Sequence, residues 1–445
     1  MRDIAITMFV FGTLPYIFKR PWLGVLMWVW LSVMFPHRLS WGFAYDLPFA
    51  QCVAIVTLLS LVFAGQRWRF PWSTPMAFLL LFTIWMNVTS LFALVPEQIY
   101  DQWLKVMKIM FMVFVAAIAL RERKHIEWLI WVIVVSLGFY GIKGGIFTIM
   151  GGGENRVYGP PSSYIEENNT LAIALLIIIP LIWYLRTYTT RQWMRWGLLG
   201  AAVLCAAAAL GSYSRGALVT IIPMLGFLWL KSRNKAMLAI VIIATAPLLI
   251  GVMPERWTQR METITNYEED ASASGRINAW QTAFNIAKDR PLVGGGFAIY
   301  EPKVFARYSP DAEDLHAAHS IYFSVLGEHG WVGLTLFLCC GFASWRTASW
   351  IVKRARGRPE LKREADLALM IQVSFLGYAV GGGLLSMLYY DVPYYLMVVM
   401  VLLKVHITEA EKAATTGTAK VNRLVTDAVP VVPVLPFNHG QRRAG

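Results

Sequence analysis

The residues best equipped for chemistry lie in the stretch DLHAAHSIYFSVLGEHGWVGLTLF, Asp314 to Phe337, where a polar segment runs directly into an apolar helix. His319 stands at the mouth of that helix. An imidazole with an ordinary pKa of about 6.5 is largely neutral near pH 7 and can accept a proton there. His316, one turn earlier, is the rival base. The histidines, with Glu328 and His329, superficially suggest zinc. However, ten helical residues separate His319 from His329, about 15 Å along the axis, too far to share an ion. No metal site is expected, and Glu328 is read as pairing inside the bundle, with a lysine as a candidate partner.

Basic residues supply the second half of the chemistry. Arg215 falls in LGSYSRGALVT, where one apolar run turns sharply into the next. An arginine at membrane depth costs about 2.5–3.5 kcal/mol on insertion scales, so it marks a site unless it snorkels to headgroups. Arg276 falls in SASGRINAWQTAFNIAKDRPLVGGGF, in which Ile277, Trp280, Phe284 and Ala287 share one face of a short amphipathic helix. Ser274 is placed as its cap, and Pro291 with Gly294–Gly296 as its end. Arg276 in the first turn opposes the helix dipole, which makes sense if an anion or lipid headgroups lie there. Lys105 and Lys108 stand three apart, with snorkelling the reading for Lys105. Lys143 lies within a span among glycines that allow close approach of backbone or ligand. Arg156 lies in the loop after it, and Asn168 and Asn169 are placed as caps of the next helix. A diphosphate at the membrane surface suits the cluster Arg156, Arg215 and Arg276 with lysines beneath.

The elements that position these residues are membrane helices. The chain has 445 residues, is 57% hydrophobic and 15% charged, and has a mean hydropathy of +0.51. Soluble domains are about 45–50% apolar and about 25% charged, so a polytopic all-α membrane protein is indicated. Apolar runs fall near 3–17, 21–36, 46–64, 74–94, 102–120, 127–149, 168–187, 194–210, 215–231, 235–253, 319–343, 366–388 and 393–406. About 12 transmembrane helices are expected, the first pair irregular. The net charge of +13 does not indicate nucleic acid, because the basic residues sit in short loops as the positive-inside rule predicts. RERKH (121–125), KSRNK (232–236), KRARGRPELKR (353–363) and the Arg186–Arg195 loop are assigned to the cytoplasm. That leaves 150–167, 211–215 and 254–318 outside and the C-terminus inside. The expected organisation is an N-terminal bundle 1–253, an external, partly helical loop 254–318, C-terminal helices 319–406 and a flexible tail 407–445. The four cysteines lie in apolar runs and read as small buried hydrophobes. The first apolar run lacks a cleavage site and reads as a retained segment.

Taken in order, SRGA (Ser214–Ala217), GRINAWQTA with PLVGGGF (Gly275–Phe297) and HSIYFSVLGEHGWVGL (His319–Leu334) resemble the bacterial O-antigen ligase superfamily, over about residues 1–406. LPYIFKRPWLGVLMWVWLSVMFPHRLSWG and GIKGGIFTIMGGGENRVYGPPSSYIEENN are similar to a branch associated with exosortase systems, described as O-glycosylation ligases. The resemblance implies a metal-independent, inverting membrane glycosyltransferase of the GT-C class, with no cofactor. It would sit in the bacterial inner membrane with its site facing the periplasm. Its substrates would be an undecaprenyl diphosphate-linked O-antigen donor and the lipid A–core acceptor. Carried over residue by residue, His319 matches the essential histidine and Arg215 and Arg276 the essential arginines. Arg156, Lys108, Lys143 and His316 are the further candidates for binding diphosphate or glycan. An O-antigen polymerase or a protein O-glycosylation ligase would use the same donor, while a lipid-linked glycan flippase would need a charged path through the bundle.

Overall fold

A computed structural model describes residues 1–63, 68–232, 234–251, 253–262 and 271–415, and among them there is no strand. The first eight helices are α1 (Arg2–Lys19), α2 (Pro21–Met34), α3 (Phe49–Phe63), α4 (Thr74–Ser90), α5 (Tyr100–Ala119), α6 (Arg123–Met150), α7 (Asn168–Tyr188) and α8 (Gln192–Gly211). They are followed by α9 (Arg215–Lys231), α10 (Lys235–Gly251), α11 (Glu255–Glu262), α12 (Ala271–Asp289), α13 (Pro302–Tyr308), α14 (Ile321–Arg354), α15 (Lys362–Gly382) and α16 (Asp391–Thr415). Each of the thirteen apolar runs falls on one of these helices. Seven, α5 to α8 and α14 to α16, are long and apolar enough to cross a bilayer, while α2, α3 and α4 are apolar but shorter. The chain is thus a multi-pass membrane protein. With those three the count is ten, and twelve would need two of α1, α9 and α10 as well. Helix α16 runs past the expected boundary at 406 to Thr415. The rest of the expected tail lies outside the described residues.

In a bilayer, lipid tails are as apolar as leucine, so helices associate by close packing rather than by hydrophobic burial. The glycines around Lys143 show how. A Cβ on Gly145 would collide with the Leu204 carbonyl of α8, and one on Gly144 would lie 3.2 Å from Ala208. Thr148 and Gly211 make the same close approach one turn further on. These glycines admit the backbone of α8, and Lys143 beside them is exposed.

The two ends of the bundle differ in chemistry. At one end Arg123 pairs with Glu127 at 2.7 Å and with Glu364 at 3.1 Å, and Arg363 pairs with Glu127 at 3.1 Å. Nearby, Arg354 grips Glu411 through two bonds of 2.7 and 2.9 Å. These contacts tie α6, α14, α15 and α16 together beside the loops assigned above to the cytoplasm. At the other end the loop 91–99, the loop 151–167, the α8–α9 junction, residues 253–262 and 271–320 and the α15–α16 turn meet. Lys303 bonds Glu97 at 3.1 Å, Leu94 N donates to Gly295 O at 2.8 Å, and Tyr213 donates to Gly153 O at 2.7 Å.

Candidate active site

Helix α12 builds the approach to His319. It begins at Ala271, so Ser274 lies inside it and does not cap it, and Arg276 stands in the second turn and not the first. Its buried face is also different from the one the large residues suggest. Ala279, Thr282, Ala283, Ile286 and Ala287 are buried, whereas Ile277 and Phe284 are exposed. The small residues let α12 close on α14, where a Cβ on Gly327 would lie 2.9 Å from that of Ala283.

From that seat α12 fixes the loop on both sides of the histidines. The Asn278 amide donates to the carbonyls of Asp311 (2.8 Å) and Asp314 (2.9 Å), and its oxygen accepts from Asp311 N at 3.1 Å. Trp280 donates to Ala318 O at 2.6 Å and stacks on Phe323 with centroids 4.9 Å apart. His319 follows with φ of 42°, in the left-handed region that non-glycine residues seldom occupy. Such strain persists only where surrounding contacts over-determine it, and it concentrates at functional sites. His316 pairs with Asp314 at 2.6 Å and lays its ring against Gly275, next to Arg276.

His319, Arg276 and the residue next to Arg215 converge on the turn 383–390 between α15 and α16. Ser386 Oγ lies 3.3 Å from His319 Nδ1, and Arg276 Nη1 donates to Leu384 O at 3.5 Å. The Leu384 side chain stands 3.7 Å from where a Cβ on Gly216 would be, directly beside Arg215. Arg215 itself opens α9 after Tyr213, another left-handed residue (φ 60°), and Ser214, whose hydroxyl accepts from Ala217 N. A second bridge runs through α7. Asn168 donates to Ser212 O at 2.6 Å and so ties α7 to the Arg215 junction; the N-cap is Glu167, not Asn168.

Electrostatics links the same groups. Burial holds the His319 pKa below its usual 6.5, opposed by the Glu167 carboxylate and reinforced by Arg276 and His316. Arg156 is exposed, and with Arg256 it offsets part of the rise that burial imposes on the Tyr213 phenol. It therefore lies near the Arg215 junction. Lys108 is half-buried on α5, and among the described residues no hydrogen bond or ion pair links it or Lys143 to the His319 neighbourhood. Glu328 and His329 are fully enclosed deeper in α14, and Glu328 bonds the Tyr389 hydroxyl and the Gln102 side chain rather than a lysine. Sequence reasoning missed Ser386, Leu384 and Glu167. The triplet Gly381–Gly383 was the available signal that α15 ends and a turn begins.

The class is therefore an all-helical, multi-pass membrane protein that gathers a histidine and several arginines at one end of its bundle. Residues 200–338, which contain Arg215, Arg276 and His319, match the O-antigen ligase family. Residues 1–190 match a family of unknown function, DUF5935, so the segment carrying the exosortase-branch likeness says nothing about the acceptor. No curated protein sequence matches the chain. The O-antigen ligase match supports a ligase- or polymerase-type activity in O-antigen or related glycan assembly.

Proposed function

We propose that this protein transfers a glycan from undecaprenyl diphosphate to the lipid A–core oligosaccharide at the periplasmic face of the inner membrane, without a metal. The observation that carries the reading is the shared turn 383–390, which touches His319, Arg276 and the neighbour of Arg215. Ser386 Oγ accepting from Nδ1–H leaves the Nε2 lone pair of His319 as the base. Nε2 takes the proton from an acceptor hydroxyl, and that oxygen forms a bond to the anomeric carbon from the face opposite the diphosphate. The bond from anomeric carbon to phosphate oxygen breaks with inversion, and undecaprenyl diphosphate leaves. Arg215 and Arg276 bind the charge that grows on the leaving group, the task a cation serves elsewhere. Arg156 and His316 lie at the rim, suited to glycan or diphosphate.

A lipid-linked donor also suits the bundle below. A cavity of about 410 Å³ between α14, α15 and α16 is lined by Ile321, Tyr322, Phe337, Trp345, Tyr378 and Tyr394, among other mostly apolar residues. Its upper residues directly follow His319, so a polyprenyl tail can lie there while its diphosphate meets the arginines.

The test is ligation by the purified chain with defined undecaprenyl diphosphate glycan, rough lipopolysaccharide and a chelator. Product in chelator is expected. Failure with lipopolysaccharide but transfer to a protein acceptor would replace the lipid A–core assignment, and growth of the donor glycan alone would indicate a polymerase. Arg215→Lys should transfer about 10²-fold more slowly, the loss typical when one preorganised donor to a developing charge is removed. Lysine keeps the charge but not the planar fork that grips a phosphate with two bonds. An Arg215→Lys protein working at the normal rate would remove this residue from the diphosphate site.

A further inference from the structure

Helix α14 is two helices. At Gly330 the backbone leaves helical geometry (φ 68°, ψ −171°), so the carbonyls of Gly327, Glu328 and His329 lose their helical donors. Each finds another one. Gly295 N donates to Gly327 O at 2.8 Å, Gly296 N to Glu328 O at 2.8 Å, and the Trp85 indole to His329 O at 3.0 Å. Trp331 N, freed on the other side of the break, donates to Pro291 O at 2.9 Å. At membrane depth an uncapped peptide group costs several kcal/mol, so a break this fully capped is a built feature.

The side chains at the break form one chain of hydrogen bonds. Thr89 Oγ1 lies 2.7 Å from His329 Nδ1, His329 Nε2 lies 2.7 Å from the Tyr389 hydroxyl, and that hydroxyl donates to Glu328. Thr89 Oγ1 also donates to Met86 O at 3.0 Å, so the chain runs unbroken from α4 through His329 and Tyr389 to Glu328, and the His329 tautomer sets the direction of each link. All four side chains are buried. Tyr389 belongs to the turn 383–390, three residues beyond Ser386 and five beyond Leu384.

We propose that Glu328, His329 and Tyr389 are positioning residues: the broken helix holds the turn 383–390 in register, and through it Ser386 against His319 and the Leu384 carbonyl against Arg276. This rests on the catalytic reading of His319 given above. It explains why a carboxylate and an imidazole are buried two turns below the reacting groups without touching them. A fully satisfied buried network specifies one arrangement, because any other leaves a buried polar group unpaired.

The test uses the full chain in nanodiscs, with rates per folded protein. Tyr389→Phe should lower kcat on the order of 10²-fold, the scale set by misplacing a reacting group by about 1 Å, and should raise the donor KM far less. In a double-mutant cycle, Ser386→Ala with Tyr389→Phe should be no slower than the slower single variant, because both act through one contact. Glu328→Gln, which still accepts from Tyr389, should keep most of the rate that Glu328→Leu loses. Losses that multiply in the double variant, a normal rate in Tyr389→Phe, or equal losses in Glu328→Gln and Glu328→Leu would each overturn the positioning role. His319→Gln, assayed in parallel, reports on the catalytic reading alone, and a normal rate there would sink that reading instead.

Discussion

His319→Ala should lower glycan transfer by about 10²–10⁴-fold, the usual loss on removing a general base, while the protein folds and binds donor normally. The scaffold does not depend on the imidazole. The loop is held before His319 by Asn278, through the carbonyls of Asp311 and Asp314, and immediately before it by the bond from Trp280 to Ala318 O. The pH dependence adds a second readout. The base works as the neutral imidazole, and burial, Arg276 and His316 all disfavour its protonation. The rate should therefore stay flat as pH falls to 6.5 and decline only as it passes through a lower pKa. Glu167 pulls the other way, so Glu167→Gln should move the acid limb of kcat/KM to still lower pH. That profile reports the free enzyme, before the donor's own charge enters. An acid limb centred above 6.5, or one indifferent to Glu167→Gln, would remove His319 from the role of base.

The helices were legible because membrane spans are announced by long apolar runs, and each of the thirteen runs lies on a helix. The cluster was legible in part. Arg215 and His319 stand out as polar residues at the edges of such runs and Arg276 as a cation near the start of an expected external amphipathic helix, and the structure brings their elements around one turn. What the sequence concealed follows from how membrane helices pack. Periodicity led to Ile277, Trp280, Phe284 and Ala287 as the packing face of α12; Ala287 is buried and Trp280 packs on Phe323, but Ile277 and Phe284 are exposed. The contact instead uses Ala279, Ala283 and Gly327, because close approach of two backbones needs small residues. The turn at Ser386 lay hidden for a related reason. LLSMLYY is as apolar as the helices around it, and tertiary bonds from Tyr378 and Tyr394 to the carbonyls of Met387 and Leu388 define it. The break at Gly330 is a backbone angle, and with Gly327 and Gly333 three residues to either side the sequence does not single it out.

Gly330→Ala should be among the most damaging single-methyl changes in the described chain. At φ 68° and ψ −171° the backbone occupies a region that is essentially restricted to glycine, where a side chain costs about 1–3 kcal/mol in strain. The methyl would also collide with the Leu292 carbonyl oxygen and lie 2.7 Å from that of Pro291. Both atoms are backbone, and Pro291 O is already held by Trp331 N, so neither can swing aside as a side-chain tip would. Relief requires α14 to straighten or the loop 291–296 to lift. A straightened helix would strip Gly295, Gly296 and Trp85 of their acceptors, at about 1–3 kcal/mol for each buried group left unpaired. The loss should exceed about 4 kcal/mol, which places it among the exceptional single substitutions. In detergent this should appear as a large fall in melting temperature or as no folded protein. Gly226→Ala is the control, since nothing stands within 4 Å of the added methyl on α9, and there alanine should leave the melt unchanged or raise it slightly. If Gly330→Ala melted with the control, the break would be a tolerated bend, and the alignment of Glu328, His329 and Tyr389 beneath the site would need another cause.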